Sequence, residues 1–158
     1  ALIGNFPYNV SSQILFHALN YRNNITEIVG MFQKEVAERI CSKPNSKKYG
    51  VLSVILQAYF DCEQLFDVSS KNFYPQPKIN STVIRLTRNK ISELDCRHED
   101  FIKTVKGGFS QRRKKLKNAL KKMTNLDKKS LENTLQKRAE NLSVSEFVML
   151  TNYIFQQK

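Results

Sequence analysis

Apolar residues along this chain recur with two periods, and the first change between them comes at Pro7. Ala1, Leu2 and Ile3 read as the close of a buried strand. Pro7 has no amide to give a ladder and pushes Phe6 into an extended conformation, so the chain is expected to turn out of its sheet through Gly4-Asn5-Phe6-Pro7-Tyr8-Asn9. Beyond the turn, Val10, Ile14, Leu15, Ala18 and Leu19 fall at helical spacing, with Ser11 or Ser12 placed to cap the helix. Residues 26–32 are rich in strand formers and run into a helical stretch over 33–40, a second strand-then-helix unit.

The middle of the chain is less regular. Residues 43–50 form a polar, basic turn, the apolar run at 51–60 fits helix or strand on periodicity alone, and 63–68 reads as a strand behind it. Pro75 and Pro77 punctuate a loop over 69–78, and Ser-Thr-Val-Ile-Arg-Leu at 81–86 is the clearest strand. The strands on either side of that loop are expected to pair antiparallel at a sheet edge. After Arg88 the pattern turns helical. Phe101, Ile102, Val105 and Phe109 share a face, Gly107 and Gly108 weaken that helix near its end, and Ser110 is placed to cap the next one. An apolar stripe of Leu116, Ala119, Leu120 and Met123 follows, opposite Arg113, Lys114, Lys117 and Lys121. Arg138-Ala139-Glu140 reads as a helix-terminal ion pair. Ser143-Val144-Ser145-Glu146 is a capping box opening a last helix through Phe147, Leu150, Tyr153 and Ile154. These shifts predict an α/β domain over residues 1–91 and a small all-helical domain over 92–158.

Charge narrows the function. The 158 residues, 41% hydrophobic and 25% charged, bound a globular protein of one or two domains, and a net charge of +12 favours a polyanionic partner. Each phosphate that a cation neutralises releases counterions, which drives association. Arg112, Arg113, Lys114, Lys115, Lys117, Lys121 and Lys122 form a nearly unopposed run, since Asp127 is the one acidic residue between Lys103 and Lys129. This run, with Arg112 and Arg113 beside the Ser110 cap and a helix amino terminus, is expected to place RNA phosphates and to read shape rather than bases. Cys41, Cys62 and Cys96 lack CxxC spacing and have only His17 and His98 as co-ligands, so they read as free thiols in a reducing compartment and no metal site is expected. The run at 51–60 is too short to span a bilayer, and no membrane role is expected.

Asn5-Phe6-Pro7-Tyr8 resembles motif IV of the adenine amino-methyltransferases, which is Asn-Leu-Pro-Tyr in the ribosomal RNA adenine dimethyltransferase family, with Phe6 in place of Leu. The likeness continues in the family's order through Met31-Phe32-Gln33-Lys34-Glu35-Val36-Ala37-Glu38-Arg39, Tyr49-Gly50-Val51-Leu52-Ser53-Val54, Phe73-Tyr74-Pro75-Gln76-Pro77-Lys78-Ile79-Asn80-Ser81, Phe109-Ser110-Gln111-Arg112-Arg113-Lys114 and Arg138-Ala139-Glu140-Asn141. It spans almost the whole chain and is strongest to the KsgA type. The resemblance implies the carboxyl-terminal half of a Rossmann-like, S-adenosylmethionine-dependent methyltransferase sheet joined to the helical domain, and it favours helix at 51–59. It further implies dimethylation of adenines in small-subunit ribosomal RNA, by a cytoplasmic enzyme that works as a monomer on the small ribosomal subunit. The family's glycine-rich cofactor loop and ribose-binding acid have no counterpart here. The chain is therefore expected to be the part of a longer enzyme from motif IV onward, inactive alone, with most of the cofactor site upstream and an apolar sheet edge that favours low solubility or dimerisation.

The residue types suit that chemistry. An adenine exocyclic amine is a poor nucleophile because its lone pair is delocalised into the ring. The Asn5 side-chain oxygen and the Pro7 carbonyl oxygen, each taking one amine hydrogen, would favour the pyramidal geometry that attacks a methyl sulfonium in line. Tyr8 and Phe73 would stack on the extruded base from its two sides, worth roughly 1–3 kcal/mol per base. By resemblance, Phe73 ends the target-base pocket and Asn5 also approaches the cofactor. Two other functions fit the same motifs: a large-subunit ribosomal RNA methyltransferase of the antibiotic-resistance type, and a non-catalytic nucleic-acid-binding assembly or transcription factor. The Gln111-Arg112-Arg113-Lys114 and Arg138-Ala139-Glu140 blocks fit the small-subunit branch better, and Asn5, Pro7, Tyr8 and Phe73 together favour an enzyme. Gln33, Lys34, Glu35 and Arg39 read equally as a solvated, ion-paired helix face or as RNA contacts.

Overall fold

The structure, a computed structural model, describes residues 1–123 and 131–155; Asp127 and Lys129 lie outside the described residues. In chain order the elements are β1 (Leu2–Asn5), α1 (Ser11–Asn20), β2 (Glu27–Gln33), α2 (Lys34–Ile40), α3 (Val51–Gln57), β3 (Phe60–Val68), β4 (Ser81–Arg88), α4 (His98–Phe109), α5 (Leu116–Ala119), α6 (Glu132–Gln136) and α7 (Val144–Phe155), with short 3-10 turns at Ser70–Asn72 and Ala139–Asn141. They form two compact units, one of residues 1–42 and 59–92 and one of residues 43–58 and 93–158. Residues 43–58, grouped with the first domain by sequence, cluster with the helical unit because α3 packs on α4 and α7.

The first unit is built on a four-stranded sheet in the order β1-β2-β4-β3. β1 and β2 are parallel, joined through α1, whereas β4 runs antiparallel to both β2 and β3. The strands alternate as half-covered strands should: Ile28, Gly30 and Phe32 of β2 are buried while their neighbours are partly exposed. α2 covers the sheet against β2, β3 and β4, burying Ala37 and Ile40. Its charged residues are spent on the fold. The Lys34 ammonium meets Asp67 of β3 at 2.5 Å, and Arg39 pairs with Glu35 at 2.7 Å along the helix. Hydrogen bonds from Lys34 and Thr82 hold the Asp67 carboxyl below its ordinary range.

Several local expectations shift. α1 has Val10 at its cap position with no side-chain cap, and Ser11 lies inside the helix, its hydroxyl donating back to the Tyr8 carbonyl at 3.2 Å. β3 starts at Phe60, earlier than the pattern predicts, because Phe60 and Cys62 pair with Arg88 and Leu86 of β4. Burial raises the Cys41 thiol to about 11 and lifts that of Cys62 further, so both stay protonated near neutrality.

In the second unit, α4 runs straight through Gly107 and Gly108. A Cβ at Gly107 would stand 2.5 Å from the Met123 sulfur, and one at Gly108 would stand 3.1 Å from Leu116 Cδ2, so these glycines admit a close neighbour rather than break the helix. Ser110 ends α4 instead of capping a new helix; its hydroxyl donates to the Gly107 carbonyl at 2.6 Å. The basic run that follows is mostly turn, with helix only at α5. Leu116 and Leu120 are fully buried and anchor that segment into a core that includes Phe101, Val105, Phe147 and Leu150.

The predicted capping box closes in both directions. Ser143 N donates to Glu146 Oε2 at 2.8 Å, Glu146 N donates to Ser143 Oγ at 3.2 Å, and Lys137 adds a contact of 2.7 Å to the same carboxylate. Burial alone would raise the Glu146 carboxyl, but the bonds from Lys137 and Ser143 outweigh it and leave the group below its usual 4.5. A depressed folded value means stabilisation present above 4.5 and lost as pH falls through that folded value. Glu146→Gln is therefore expected to cost about 1 kcal/mol at neutral pH, with the difference from wild type closing in acid. Urea titrations followed by helical circular dichroism across pH check it; a difference constant with pH would contradict it.

Candidate active site

β1 ends at Asn5, which sits opposite Met31 in the parallel register. The chain leaves the sheet at Phe6-Pro7, and a turn in which Val10 N donates to the Pro7 carbonyl at 3.1 Å delivers it to α1. Two anchors fix this turn. Phe6 is buried, 5.4 Å from the Phe32 ring between centroids, over a place where a Cβ on Gly30 would lie 2.3 Å from the Phe6 ring and one on Gly4 would lie 3.2 Å from it. Tyr8 is tied across to the first residue of β4, its hydroxyl 2.5 Å from that of the buried Ser81.

Between these anchors the chemistry-bearing atoms face out. Asn5 is exposed, and among the described residues its carboxamide has no hydrogen-bond partner. The Pro7 carbonyl, with one lone pair taken by Val10, keeps a second. Asn5, Phe6, Pro7 and Tyr8 share one open cleft of about 370 Å³ with Phe73, Tyr74, Pro75 and Pro77. The structure thus brings together all four residues expected from the motif, Asn5, Pro7, Tyr8 and Phe73. Its lining holds no His, Asp, Glu, Lys or Arg.

The loop carrying Phe73 is held in shape. Ser70 N donates to Asn80 Oδ1 at 3.0 Å, Phe73 N to Ser70 O at 3.3 Å, and Lys34 N to Asn80 O at 3.0 Å. Phe73 is half-buried at the cleft wall. Sequence reading had no means of assigning Gly30 or Ser81 a part here. Gly30 carries no motif, and Ser81 stood only as the end of a longer block.

A second cavity, of about 500 Å³, lies in the helical unit and is lined by Arg113, Lys114, Lys115, Lys137 and Arg138 together with Asn118, Gln136, Glu140 and Asn141. Arg113, Lys114, Lys115, Lys117, Lys121 and Lys122 are all exposed. Arg112 differs from them. Its Nε pairs with Glu140 at 3.0 Å, and its Nη2 donates to the carbonyls of Lys47 and Tyr49, the latter at 3.1 Å. Arg112, expected among the phosphate-contacting residues, is already engaged within the fold: its guanidinium braces the 43–50 loop, and it neutralises the one carboxylate lining the basic cavity. It also replaces Arg138 as the ion-pair partner of Glu140. Among the described residues there is no cluster of three or more His, Cys, Asp or Glu suited to a metal, and no helix long and apolar enough to cross a membrane.

Comparisons with known proteins identify the family and the fold. The family described as Ribosomal RNA adenine dimethylase matches residues 1–156. Ribosomal RNA small subunit methyltransferase A of Cytophaga hutchinsonii is 54% identical over 155 residues, covering 98% of this chain and 60% of that protein. Its namesake from Flavobacterium johnsoniae is 52% identical over 154 residues, covering 98% and 59%. The chain thus spans about three fifths of the length of these curated relatives. Among solved structures, a dimethyladenosine transferase from Plasmodium falciparum superposes with a TM-score of 0.79 at 21% identity, over 96% of this chain and 66% of that one. The 23S rRNA methyltransferase ErmE gives 0.68 at 20% identity, over 98% and 64%. At such identities the likeness concerns the fold, which is the Rossmann-like methyltransferase arrangement.

The seat of Phe6 makes a structural prediction. Gly30→Ala, at a position without positive φ, is expected to cost about 1–3 kcal/mol by driving the Phe6 ring out of place. Phe6→Leu combined with Gly30→Ala is expected to cost less than the sum of the two single changes, since both act on one space. Urea unfolding of the four proteins tests this, and strict additivity would refute a shared seat.

Proposed function

The chain belongs to the ribosomal RNA adenine dimethylase family, and from that premise we propose that it carries the base-binding part of an enzyme that dimethylates the exocyclic amine of adenines in small-subunit ribosomal RNA. What supports this most is that Asn5 stands exposed at the end of β1 in the same cleft as Tyr8 and Phe73. An adenine extruded into that cleft lies between the two rings. Its amine hydrogens go to Asn5 Oδ1 and to the free lone pair of the Pro7 carbonyl, which draws the nitrogen towards a pyramidal shape and aims its own lone pair away from the ring. The proton released on methylation passes to water, because the cleft is open and its lining holds no side-chain base.

S-adenosylmethionine supplies an electrophilic methyl group on a sulfonium. The donor set here suits such a cation, since a neutral amide oxygen and aromatic faces attract positive charge without neutralising it. Asn5 is the residue of this chain that would face it.

RNA is held elsewhere by charge. The cavity ringed by Arg113, Lys114, Lys115, Lys137 and Arg138 fits a phosphate, and the neighbouring Lys117, Lys121 and Lys122 extend the field. Relatives named for the small subunit support that subunit over the large one as partner. The reading carries with it a cytoplasmic enzyme acting as a monomer in ribosome biogenesis.

Asn5→Ala in the full-length protein is expected to lower methyl transfer by a factor on the order of 10²–10³ or more, with RNA affinity changed less than about threefold. Primer-extension stops on ribosomal RNA from a complemented knockout read the first quantity and filter binding the second; equal loss of both would remove the assigned role. Arg113→Glu and Lys114→Glu are expected to weaken binding and to flatten its salt dependence by roughly 0.7–0.9 in log–log slope for each phosphate that is no longer neutralised. Arg112→Ala is expected instead to lower the melting temperature, with a slope close to wild type.

A further inference from the structure

We propose that Tyr74 is a substrate-positioning residue whose ring stacks on the nucleotide beside the extruded adenine, an inference that rests on the reading of the cleft as a target-base site. Among the described residues Tyr74 is the most exposed large aromatic, at 102% relative exposure, yet it borders the cleft formed by Asn5, Pro7, Tyr8 and Phe73. A ring with no covered surface contributes nothing to folding, so its place at the rim calls for a partner from outside.

The backbone sets the division of labour between the two adjacent aromatics. Phe73 has an extended backbone, with φ −119° and ψ 148°, so the side chain that follows leaves the loop on the other side. Phe73 is half-buried at the wall while Tyr74 stands at the mouth. Extruding one base strips its neighbour in the strand of a stacking partner, and a ring at the mouth replaces that partner. The backbone that carries the ring is held by its loop. Besides the bonds to Ser70 and Asn80, Gln76 Nε2 donates to Ser70 Oγ at 3.3 Å, and prolines at 75 and 77 stiffen the following turn. Little ordering is then lost on binding. Lys71 and Lys78 lie on the same loop and are both exposed, where cations suit the phosphates flanking a splayed nucleotide. A π-face with cations alongside is the chemistry of single-stranded RNA binding, without base preference.

The test uses the full-length protein, labelled S-adenosylmethionine and small ribosomal subunits that lack the modification. Tyr74→Ala is expected to raise KM for the subunits about 5- to 100-fold with kcat within about twofold and an unchanged thermal midpoint. Tyr74→Phe and Tyr74→Trp are expected to restore KM to within about threefold of wild type, whereas Tyr74→Leu is not, since stacking needs a ring. An unchanged KM in Tyr74→Ala, rescue by Leu as good as by Phe, or a loss confined to kcat would each overturn the proposal. Asn5→Ala in the same assay separates the two levels. If it methylates like wild type, the underlying base-site reading fails; if it is inactive while Tyr74→Ala behaves as wild type, only the stacking role of Tyr74 fails.

Discussion

A phenyl ring lodged where two glycines leave room is what turns the end of a strand into a site. Phe6 fills the space above Gly4 and Gly30 and meets Phe32, while two residues on, Tyr8 is held to Ser81 at the start of β4. With the chain fixed at both points, the residues beside and between them cannot turn inward. Asn5 is left exposed and the Pro7 carbonyl keeps a lone pair, while Pro7 has no N–H with which to carry the ladder further. On the proposed reading, acceptors preorganised in this way would need no rearrangement when a base arrives. The antiparallel β4 matters for the same reason: inserted between β2 and β3, it places Ser81 and the Phe73 loop at the end of the sheet where β1 stops.

The two recognition tasks proposed for this chain fall in electrostatically different places. No charged side chain lines the cleft around Asn5, so an acceptor there competes only with water and neither titrates nor repels a cationic methyl donor. The cations are instead massed in the helical unit around a cavity whose one carboxylate, Glu140, is already neutralised by Arg112. Arg112 is the arginine of the basic run that is tied into the fold. It ties Glu140 and the carbonyls of Lys47 and Tyr49 into one bracket, alongside Asn45, whose amide reaches the Glu140 carbonyl at 2.8 Å from a left-handed backbone.

What the sequence disclosed depended on how local the physics was. Pro7, the β-branched run at 81–86 and the reciprocal box of Ser143 and Glu146 act over a few residues, and each appears where its chemistry puts it. Phe73 and Tyr8 could be placed in one site only through the family resemblance, since 65 residues of chain separate them and no local rule reports their meeting. Ser110 misled because it ends α4 rather than opening the next helix, while Gly107 and Gly108, near the end of α4 as read, also serve a packing role that no local rule reports, crowded by Met123, Leu116 and Phe147. The basic run read as a helix because Leu116, Ala119, Leu120 and Met123 keep helical spacing, yet a single turn of helix flanked by tight turns satisfies the same burial. Tyr74 escaped notice because exposure is a property of the fold.

The openness of the cleft bears on how the acceptors can work at all. In water, a carbonyl gains little from an amine hydrogen, since each merely exchanges one partner for another. On the proposed reading, two rings closing on the faces of a purine would remove water above and below the base and leave only the edge that Asn5 and Pro7 contact. The hydrogen bonds formed there are made in a less polar setting and gain strength from it. Stacking and acceptance are therefore not independent contributions. Loss of the Phe73 ring would weaken the two amine contacts as well as the stack, because water would return to the face it had covered.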